Sequence, residues 1–225
     1  MRGLRLVLAV VRKELLLEWR DPSRLTGLLV FSAALTLLLA FAMPGVHVLP
    51  DVAAGAIWLG LVLASTRSLD QSFRTEVENG ALEGLVLWPV PSLVIFHGKA
   101  LANAIVLLLV AVPLTALVFV LYHPRMHGSV VDLGVVLTLG CMALAAPGTL
   151  VAAIATQARG SSALLPVLFF PLVVPVVLAA TRATTLVLEG DPMDQVGAWV
   201  KLLLVFDLAH WTLDGLLFSR IVDEG

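Results

Sequence analysis

Charged side chains are scarce in this 225-residue sequence, because Asp, Glu, Lys and Arg together occupy only 13% of its positions. Soluble globular domains usually carry about 25% charged residues. Hydrophobic residues make up 60% of the chain, and the mean hydropathy is +1.01. The composition therefore predicts an integral membrane protein rather than a soluble domain. The formal net charge of −2 gives no strongly basic surface, so we expect no nucleic-acid partner.

Cysteine is also rare, since Cys141 is the only one in the chain. A single cysteine excludes an internal disulfide, and the sequence has no C-x-x-C-H motif for covalent haem attachment. Cys141 lies within an apolar run, which is typical of a small packing residue. There is no H-E-x-x-H motif and no cluster of Cys and His, so we expect no metal site.

Motifs for catalysis are missing as well. The stretch His97–Ala100 contains Gly-Lys, but it lacks the earlier glycine and the following Ser or Thr of a Walker A motif. The chain is therefore not expected to bind ATP through a P-loop. No G-x-S-x-G motif accompanies Gly160–Ser162, which argues against an intramembrane serine protease. We expect no enzymatic activity and no catalytic residue in this chain.

Long apolar runs are abundant, and most of them match the length of about 20 residues that a spanning helix needs. Backbone polar groups in lipid must be satisfied within the segment, so each run is expected to be a helix. We predict an all-α integral membrane protein in which residues 1–24 form an N-terminal interfacial helix and residues 25–225 form a six-span domain. The six runs are Leu25–Met43, Val52–Thr66, Ala100–Leu121, Leu133–Ala155, Ala163–Ala180 and Trp199–Phe218.

Basic residues are distributed unequally between the two sides of these spans. Positive residues favour the cytoplasmic side of a membrane. Both termini and the segment 70–91 between the second and third spans are therefore predicted to be cytoplasmic. Eleven of the 14 basic residues support this orientation: Arg2, Arg5, Arg12, Lys13, Arg20, Arg24, Arg67, Arg74, Lys99, Arg159 and Arg220.

The first 20 residues have the pattern of an amphipathic helix, with basic residues in one sector and apolar residues in another. This pattern predicts a helix that lies in the cytoplasmic interface and contacts anionic lipid headgroups. Glu14 and Glu18 fall one turn apart, close to the apolar sector, which is unusual for a surface that only contacts lipid. They either contact a protein partner or extend to the aqueous surface, and Arg20 is a further candidate contact residue.

Phe73–Pro91 reads FRTEVENGALEGLVLWPVP and places charged residues between two apolar runs. The pattern predicts that the second span continues as a helix to Glu78, where an Asn-Gly pair gives a stop and turn signal. A short helix over Ala81–Trp88 then ends at Pro89. Because a short helix with so much apolar surface is not expected to face only water, it either rests on lipid or docks against a cytoplasmic protein.

Polar residues also occur within the last span, where Asp207, His210 and Asp214 fall within about 60° on one helix face. Ionisable residues inside a membrane mark an interior, a partner contact or a pathway. This possible intramembrane polar stripe is interpreted as facing either a seam between helices or the cytoplasmic headgroup level. Ligation of a haem iron by His210 is an alternative.

Prolines are concentrated in the fourth and fifth spans. Proline in a spanning helix frees a backbone carbonyl and kinks the helix axis. The kinks are either static or act as a hinge between two states of the protein. The hinge hypothesis involves Pro147, Gly148, Pro171 and Pro175.

Five short motifs are distributed along the chain. They are Lys13–Leu15 with Glu18–Arg20, the Phe73–Pro91 segment, AAPG at Ala145–Gly148, Arg159-Gly160, and PVLFFPLVVP at Pro166–Pro175. Together with the six-span layout, they resemble the CcmB family of haem exporter proteins B, the membrane permeases of the cytochrome c maturation ABC transporter. The resemblance covers nearly the whole chain. The last span is less typical of the family, and His210 is not expected there, which weakens its interpretation as a haem ligand.

The resemblance implies an ABC-2-type permease, in which two copies of the chain pair with two copies of a cytoplasmic ATPase subunit. It implies haem-handling membrane subunits and a periplasmic haem chaperone as further partners, and the bacterial inner membrane as the location. ATP would act only through the ATPase subunit, haem would be a substrate, and no stably bound cofactor is expected. Segment 70–91 would be the ATPase-coupling segment, through Arg74, Glu76, Glu78, Gly80, Leu82, Glu83, Leu85 and Leu87.

Alternatives accompany this interpretation. The complex would either export haem or use ATP hydrolysis to release the haem-loaded chaperone. A permease for a drug or a lipid-linked sugar would share the six-span layout, although the matches at Asn79–Pro91 and Pro147–Pro175 argue against it. A non-transporting membrane scaffold would need no conformational coupling.

Overall fold

A computed structural model describes residues 2–42, 49–78, 91–157 and 164–223. These residues form seven α-helices and no β-strand, which confirms the all-α prediction for this part of the chain. Six of the helices, α2 to α7, are long and apolar enough to cross a membrane. The helices are α1 Arg2–Arg20, α2 Ser23–Ala42, α3 Pro50–Glu78, α4 Ser92–Tyr122, α5 Val130–Gln157, α6 Leu164–Glu189 and α7 Val196–Asp223.

Two helices extend well beyond their apolar runs. α3 continues past Thr66 to Glu78, as its sequence predicted, and α6 continues nine residues past Ala180. Four of the polar residues in these extensions lie on buried faces, and they lower the hydropathy without ending the helix. The buried residues that show this are Ser68, Ser72, Thr184 and Thr185.

Successive spanning helices run in opposite directions, so the bundle has two ends. We call the end that carries α1, the start of α2, the end of α3 and the start of α4 the α1 end. At that end, Arg24 of α2 contacts Ser68 of α3. At the opposite end, called the distal end, Asp51 of α3 accepts a hydrogen bond from Thr185 of α6, with an Oγ1–Oδ1 distance of 3.0 Å.

Helix α5 lies at the centre of the bundle, where it contacts α3, α4, α6 and α7. Its glycines permit close packing, because a Cβ atom at Gly140 would lie 2.0 Å from the indole ring of Trp58. The Trp58 indole in turn donates a 2.9 Å hydrogen bond from Nε1 to Oγ1 of Thr184, which joins α3 to α6. A buried polar group that finds a partner in this way stabilises the packing instead of opposing it.

The outer surface of the bundle is apolar. Leu38 of α2, Val112 of α4, Val174 of α6 and Val205 of α7 each expose more than half of their surface. An apolar surface of this extent is unfavourable in water and suits the hydrocarbon of a bilayer.

The distal end is held by backbone hydrogen bonds between the α4–α5 connection and the end of α6. The amide of His127 donates to the carbonyl of Leu188 at 3.1 Å, and the amide of Gly128 donates to the carbonyl of Val187 at 2.9 Å. A Cβ atom at Gly128 would lie 2.3 Å from the Val187 carbonyl oxygen, so this approach requires glycine.

Candidate functional site

The segment predicted to couple the chain to an ATPase begins within the described part of α3. The backbone at Arg74, Glu76 and Glu78 is helical, as a continuation of the membrane span. Helix α4 begins at Ser92, directly after Pro91. The described residues that flank the segment, Glu78 and Pro91, therefore both lie at the α1 end. The remaining predicted coupling residues lie outside the described residues: Gly80, Leu82, Glu83, Leu85 and Leu87.

Helix α1 packs against the start of α4. The contact is close because Gly98 has no side chain: a Cβ atom there would lie 2.6 Å from Cβ of Val10. Val11 is 6% exposed on the same side, whereas Leu4 and Trp19 are 68% and 84% exposed. The apolar sector of the predicted interfacial helix is thus divided between a face that packs on the bundle and a face left open.

Glu14 joins α1 to α4 through an ion pair with Lys99. Lys99 Nζ lies 3.3 Å from Glu14 Oε1, and the Lys99 side chain is only 2% exposed. Lys13 Nζ lies 3.2 Å from the same oxygen. Burial raises the pKa of Glu14, but the charges of Lys99 and Lys13 outweigh this effect, so its pKa lies below the ordinary value. Glu14 therefore carries the negative charge that compensates a buried ammonium group.

Glu18 makes a second connection, from α1 to α2 and onward to α3. Arg24 Nη1 lies 2.9 Å from Glu18 Oε2. The Nη2 group of Arg24 donates to the carbonyl oxygen of Ser68 and, at 3.0 Å, to its hydroxyl oxygen. Burial raises the pKa of Glu18 by more than the positive charge of Arg24 lowers it, so its pKa lies above the ordinary value. This carboxylate is thus partly buried at a desolvation cost.

We call the five residues Glu14, Glu18, Arg24, Ser68 and Lys99 the α1 clamp. They connect α1 to α2, α3 and α4, and α3 and α4 are the helices that flank the predicted coupling segment. Removal of one partner of a buried ion pair costs about 3–5 kcal/mol, because the other charge is left uncompensated. The clamp therefore holds the two helices, α3 and α4, between which residues 79–90 lie in the sequence.

The sequence pattern singles out two of the five clamp residues, Glu14 and Glu18, without their partners in the same chain. The pattern predicts that Glu14 and Glu18 either contact a protein partner or extend to water, and in the structure each pairs with a basic residue of the same chain. In the sequence, Lys99 and Arg24 indicate only the orientation of the chain in the membrane. Their partners could have been suspected because two acidic side chains near an apolar sector need compensating charges. Arg20, the third predicted contact residue, is exposed at the end of α1.

The predicted hinge residues lie within continuous helices. Pro147 and Gly148 are inside α5, and Pro171 and Pro175 are inside α6. A Cβ atom at Gly148 would lie 2.2 Å from Cδ1 of Leu69 and 3.0 Å from the ring of Phe169. Gly148 thus provides room for helix packing, and the hinge hypothesis stays a prediction that replacement of Pro147 alone can test.

The polar stripe of α7 faces the inside of the bundle, where Asp207 is 5% and Asp214 is 4% exposed. His210 lies between them on the same face. Its Nδ1 atom is 2.9 Å from Oδ2 of Asp214, and its ring stacks on Phe206 with the centroids 4.0 Å apart. Among the described residues, no group of three or more His, Cys, Asp or Glu side chains could hold a metal ion.

An open groove of about 610 Å³ runs between α3 and α6 towards the distal end. Its walls are mainly aliphatic, and Val174 and Leu178 of α6 are 58% and 55% exposed. At its mouth, Nη1 of Arg182 lies 3.6 Å from Oδ1 of Asp51, with both side chains largely exposed. The groove thus combines an apolar surface with one charge of each sign.

Comparison with known proteins gives a consistent result. The family model described as CcmB protein matches residues 5–222. The chain is 34% identical over 167 residues to heme exporter protein B of Rhodobacter capsulatus, which covers 73% of this chain and 75% of the relative. It is 30% identical over 203 residues to heme exporter protein B of Pseudomonas aeruginosa, which covers 88% and 89% of the two chains.

Proposed function

The chain belongs to the CcmB family, and on that premise we propose that it is the transmembrane permease subunit of an ABC transporter complex for cytochrome c maturation. The six apolar helices make it a multi-pass membrane protein, and its relatives are bacterial. The relatives' shared name, heme exporter protein B, supports haem as the transported substrate. In this role the chain is not itself the catalyst, and ATP is hydrolysed by a separate subunit.

The observation that supports the proposal is that α3 reaches Glu78 and α4 begins at Ser92 at the same end of the bundle, the α1 end. The α1 clamp holds both of these helices, so a force on the segment reaches the bundle through fixed attachment points. The segment contains Leu82, Leu85 and Leu87, each worth roughly 1.5–3 kcal/mol if fully buried in a partner. We therefore assign residues 79–90 as the docking site for an ATP-binding subunit, with one docking site for each of two ATPase copies.

Loss of the ATPase from the purified complex tests this assignment. The double change Leu82→Asp with Leu85→Asp should abolish co-purification of the ATPase, while the permease still inserts into the membrane. The matched control is Val130→Asp with Val131→Asp, which introduces two carboxylates at exposed apolar positions of the distal end. If the first variant retains its ATPase as well as the control does, the segment is not the docking site.

The basic residues of the α1 end support a cytoplasmic location for this end of the bundle. The α1 end carries Arg24, Arg67 and Lys99, so the positive-inside rule places this end and both termini in the cytoplasm. In intact cells, a cysteine at Ser129 of the distal end should react with an impermeant thiol reagent. A cysteine at Arg20 of the α1 end should react only after the membrane is opened. Cys141 is fully buried and should give little background.

We assign the groove between α3 and α6 to a second copy of the chain, because a pair of ATPases needs two docking segments. Its charges suit a twofold interface, in which Asp51 of each copy faces Arg182 of the other. Val174→Cys should crosslink two copies, whereas Leu38→Cys, at a residue that is 68% exposed on α2, should not. Crosslinking by the α2 variant alone would move the interface to another face.

Two activities of the proposed complex are compatible with this assignment, and they differ in whether haem crosses the membrane. Either haem itself crosses the membrane, or ATP hydrolysis releases a haem-loaded periplasmic chaperone held by haem-handling membrane subunits. The purified complex in sealed vesicles distinguishes them: ATP-dependent appearance of haem on the distal side supports export. ATP-dependent release of the chaperone, without haem crossing, supports the second activity.

A further inference from the structure

Asp207 is a buried acidic side chain in the interior of a membrane-spanning helix. It lies 11 residues from the start of the 28-residue α7 and is 5% exposed. Both of its carboxylate oxygens are buried, and neither has a hydrogen-bond partner among the described residues. Ionisable residues within a membrane are costly and usually mark a functional site.

No positive charge compensates Asp207 in the described part of the chain. α7 packs against α4, α5 and α6, and within α7 itself Lys201 and Arg220 lie near opposite ends. Lys99 lies near the α1 end of α4 and pairs with Glu14, and Arg182 lies near the distal end of α6 and pairs with Asp51. The remaining titratable side chains of the three packed helices are His97, Tyr122, Asp132, Cys141 and Glu189.

An unpaired carboxylate in this position would be strongly disfavoured, because an isolated buried charge costs far more than a neutral polar group. A metal ion does not resolve the cost, since no suitable group of ligands lies among the described residues. Addition of a proton removes the charge and needs no second ligand. Protonation of the Asp207 carboxylate is therefore the simplest way to avoid the buried charge.

His210 and Asp214 continue the polar face from Asp207 towards the α1 end. The Nδ1 atom of His210 lies 2.9 Å from Asp214 Oδ2, so a neutral His210 that donates from Nδ1 keeps Nε2 as a proton acceptor. Asp207 makes no hydrogen bond to His210 in the structure, so transfer first requires a side-chain rotation that brings an Asp207 oxygen within hydrogen-bond reach of Nε2. The Asp207 O–H bond then breaks, the proton forms an N–H bond at Nε2, and the Asp207 carboxylate is left behind. The resulting imidazolium is stabilised by the Asp214 carboxylate beside it.

We propose that Asp207 is a proton-binding site inside the bundle and that the His210–Asp214 pair is its exchange route towards the α1 end. The proposal goes beyond the permease function, because it adds a proton as a ligand of the chain itself. It requires neither haem nor ATP, so its test does not depend on the transport assignment.

Infrared difference spectroscopy tests the site on the full chain with its co-purifying partners in lipid nanodiscs. At neutral pH, the wild-type protein should show a carbonyl band of a buried carboxylic acid. Asp207→Asn should lose the band, and Asp207→Glu should shift it. Asp132→Asn, at an exposed distal residue, should leave it unchanged. Absence of the band from the wild type, or its persistence in Asp207→Asn, overturns the site.

The rate at which this band shifts in heavy water tests the route. His210→Gln should slow exchange of the Asp207 proton at least about tenfold, because the acceptor nitrogen is lost. Asp214→Asn should slow it less, since the imidazole remains. A wild-type rate in His210→Gln overturns the exchange route. The Asp207→Glu variant, which keeps an acid at this position, provides the site measurement if Asp207→Asn does not accumulate.

Discussion

At the α1 end of the bundle, buried ion pairs join neighbouring helices, whereas at the distal end backbone hydrogen bonds join the α4–α5 connection to α6, and the Arg182–Asp51 ion pair is largely exposed. Glu14 and Glu18 meet Lys99 and Arg24 at the first end. The amides of His127 and Gly128, near the end of the α4–α5 connection, meet the Leu188 and Val187 carbonyls at the second. The strength of a backbone hydrogen bond changes little with salt or pH, whereas the strength of a side-chain ion pair depends on both. The responsive contacts are found where we propose that the ATPase docks.

Removal of one charge from the clamp should have the largest effect. Lys99→Ala leaves Glu14 with the half-exposed Lys13 as its remaining partner. α1 should therefore lose about 3 kcal/mol of its attachment to α4, the lower end of the cost of breaking a buried ion pair. Hydrogen exchange of the α1 amides measures this loss. Lys201→Ala, at an exposed site on α7, is the control. Unchanged protection of α1 in Lys99→Ala would show that Gly98 and Val10 alone hold the helix.

A methyl group added at the distal end should have the next largest effect. Gly128→Ala places Cβ against the Val187 carbonyl, and overpacking of this kind costs about 1–3 kcal/mol. Thermal unfolding in detergent should show the loss equally at low and high salt, because no charge is involved. A loss that depended on salt would remove the contrast between the two ends.

Acid should weaken the α1 end and spare the distal end. The pKa of Glu14 is below its ordinary value of 4.5 in the folded chain, so its contribution is complete above that value. The contribution is lost as the pH falls through the lower folded pKa. Glu18 acts in the opposite sense and partly offsets this, because its folded pKa is raised. Glu14→Gln should abolish the acid-induced release of α1 measured by hydrogen exchange.

The smallest effect is expected from Glu83, which lies outside the described residues. An ion pair at a partly wet rim contributes about 0–1 kcal/mol, so Glu83→Ala should barely change ATPase binding. It should reduce the coupling of ATP hydrolysis more than the affinity, since a rim charge mainly sets register. The comparison of retained ATPase with substrate-stimulated hydrolysis measures both quantities. Equal losses of the two would assign Glu83 to affinity.

The sequence was sufficient for the helices but not for the contacts between them. Apolar runs predicted all six spans, and the helical pattern predicted the continuation of α3 to Glu78. The ion pair between Glu14 and Lys99 joins residues that are far apart in the chain, so only the packing of α1 on α4 reveals it. Each charge alone had a simpler interpretation, as a surface residue or as a signal of orientation.

Two glycines give a second example of contacts that the sequence does not reveal. Gly98 and Gly128 look alike in the sequence, yet one accommodates a valine side chain and the other a carbonyl oxygen. No local pattern distinguishes the two, because each depends on the element that crosses it. The buried state of Asp207, by contrast, could be anticipated from its spacing with His210 and Asp214 on one helix face.

The length of α3 has a mechanical consequence. Its 29 residues span about 44 Å, so it is longer than the hydrocarbon core of about 30 Å. Trp58, anchored to Thr184, lies 20 residues before Glu78, which corresponds to an arm of about 30 Å. If the helix pivots there, a tilt of about 10° displaces Glu78 by about 5 Å, close to the pitch of one helical turn. A small rotation within the membrane is thus amplified into a stroke large enough to shift a docked protein by one turn.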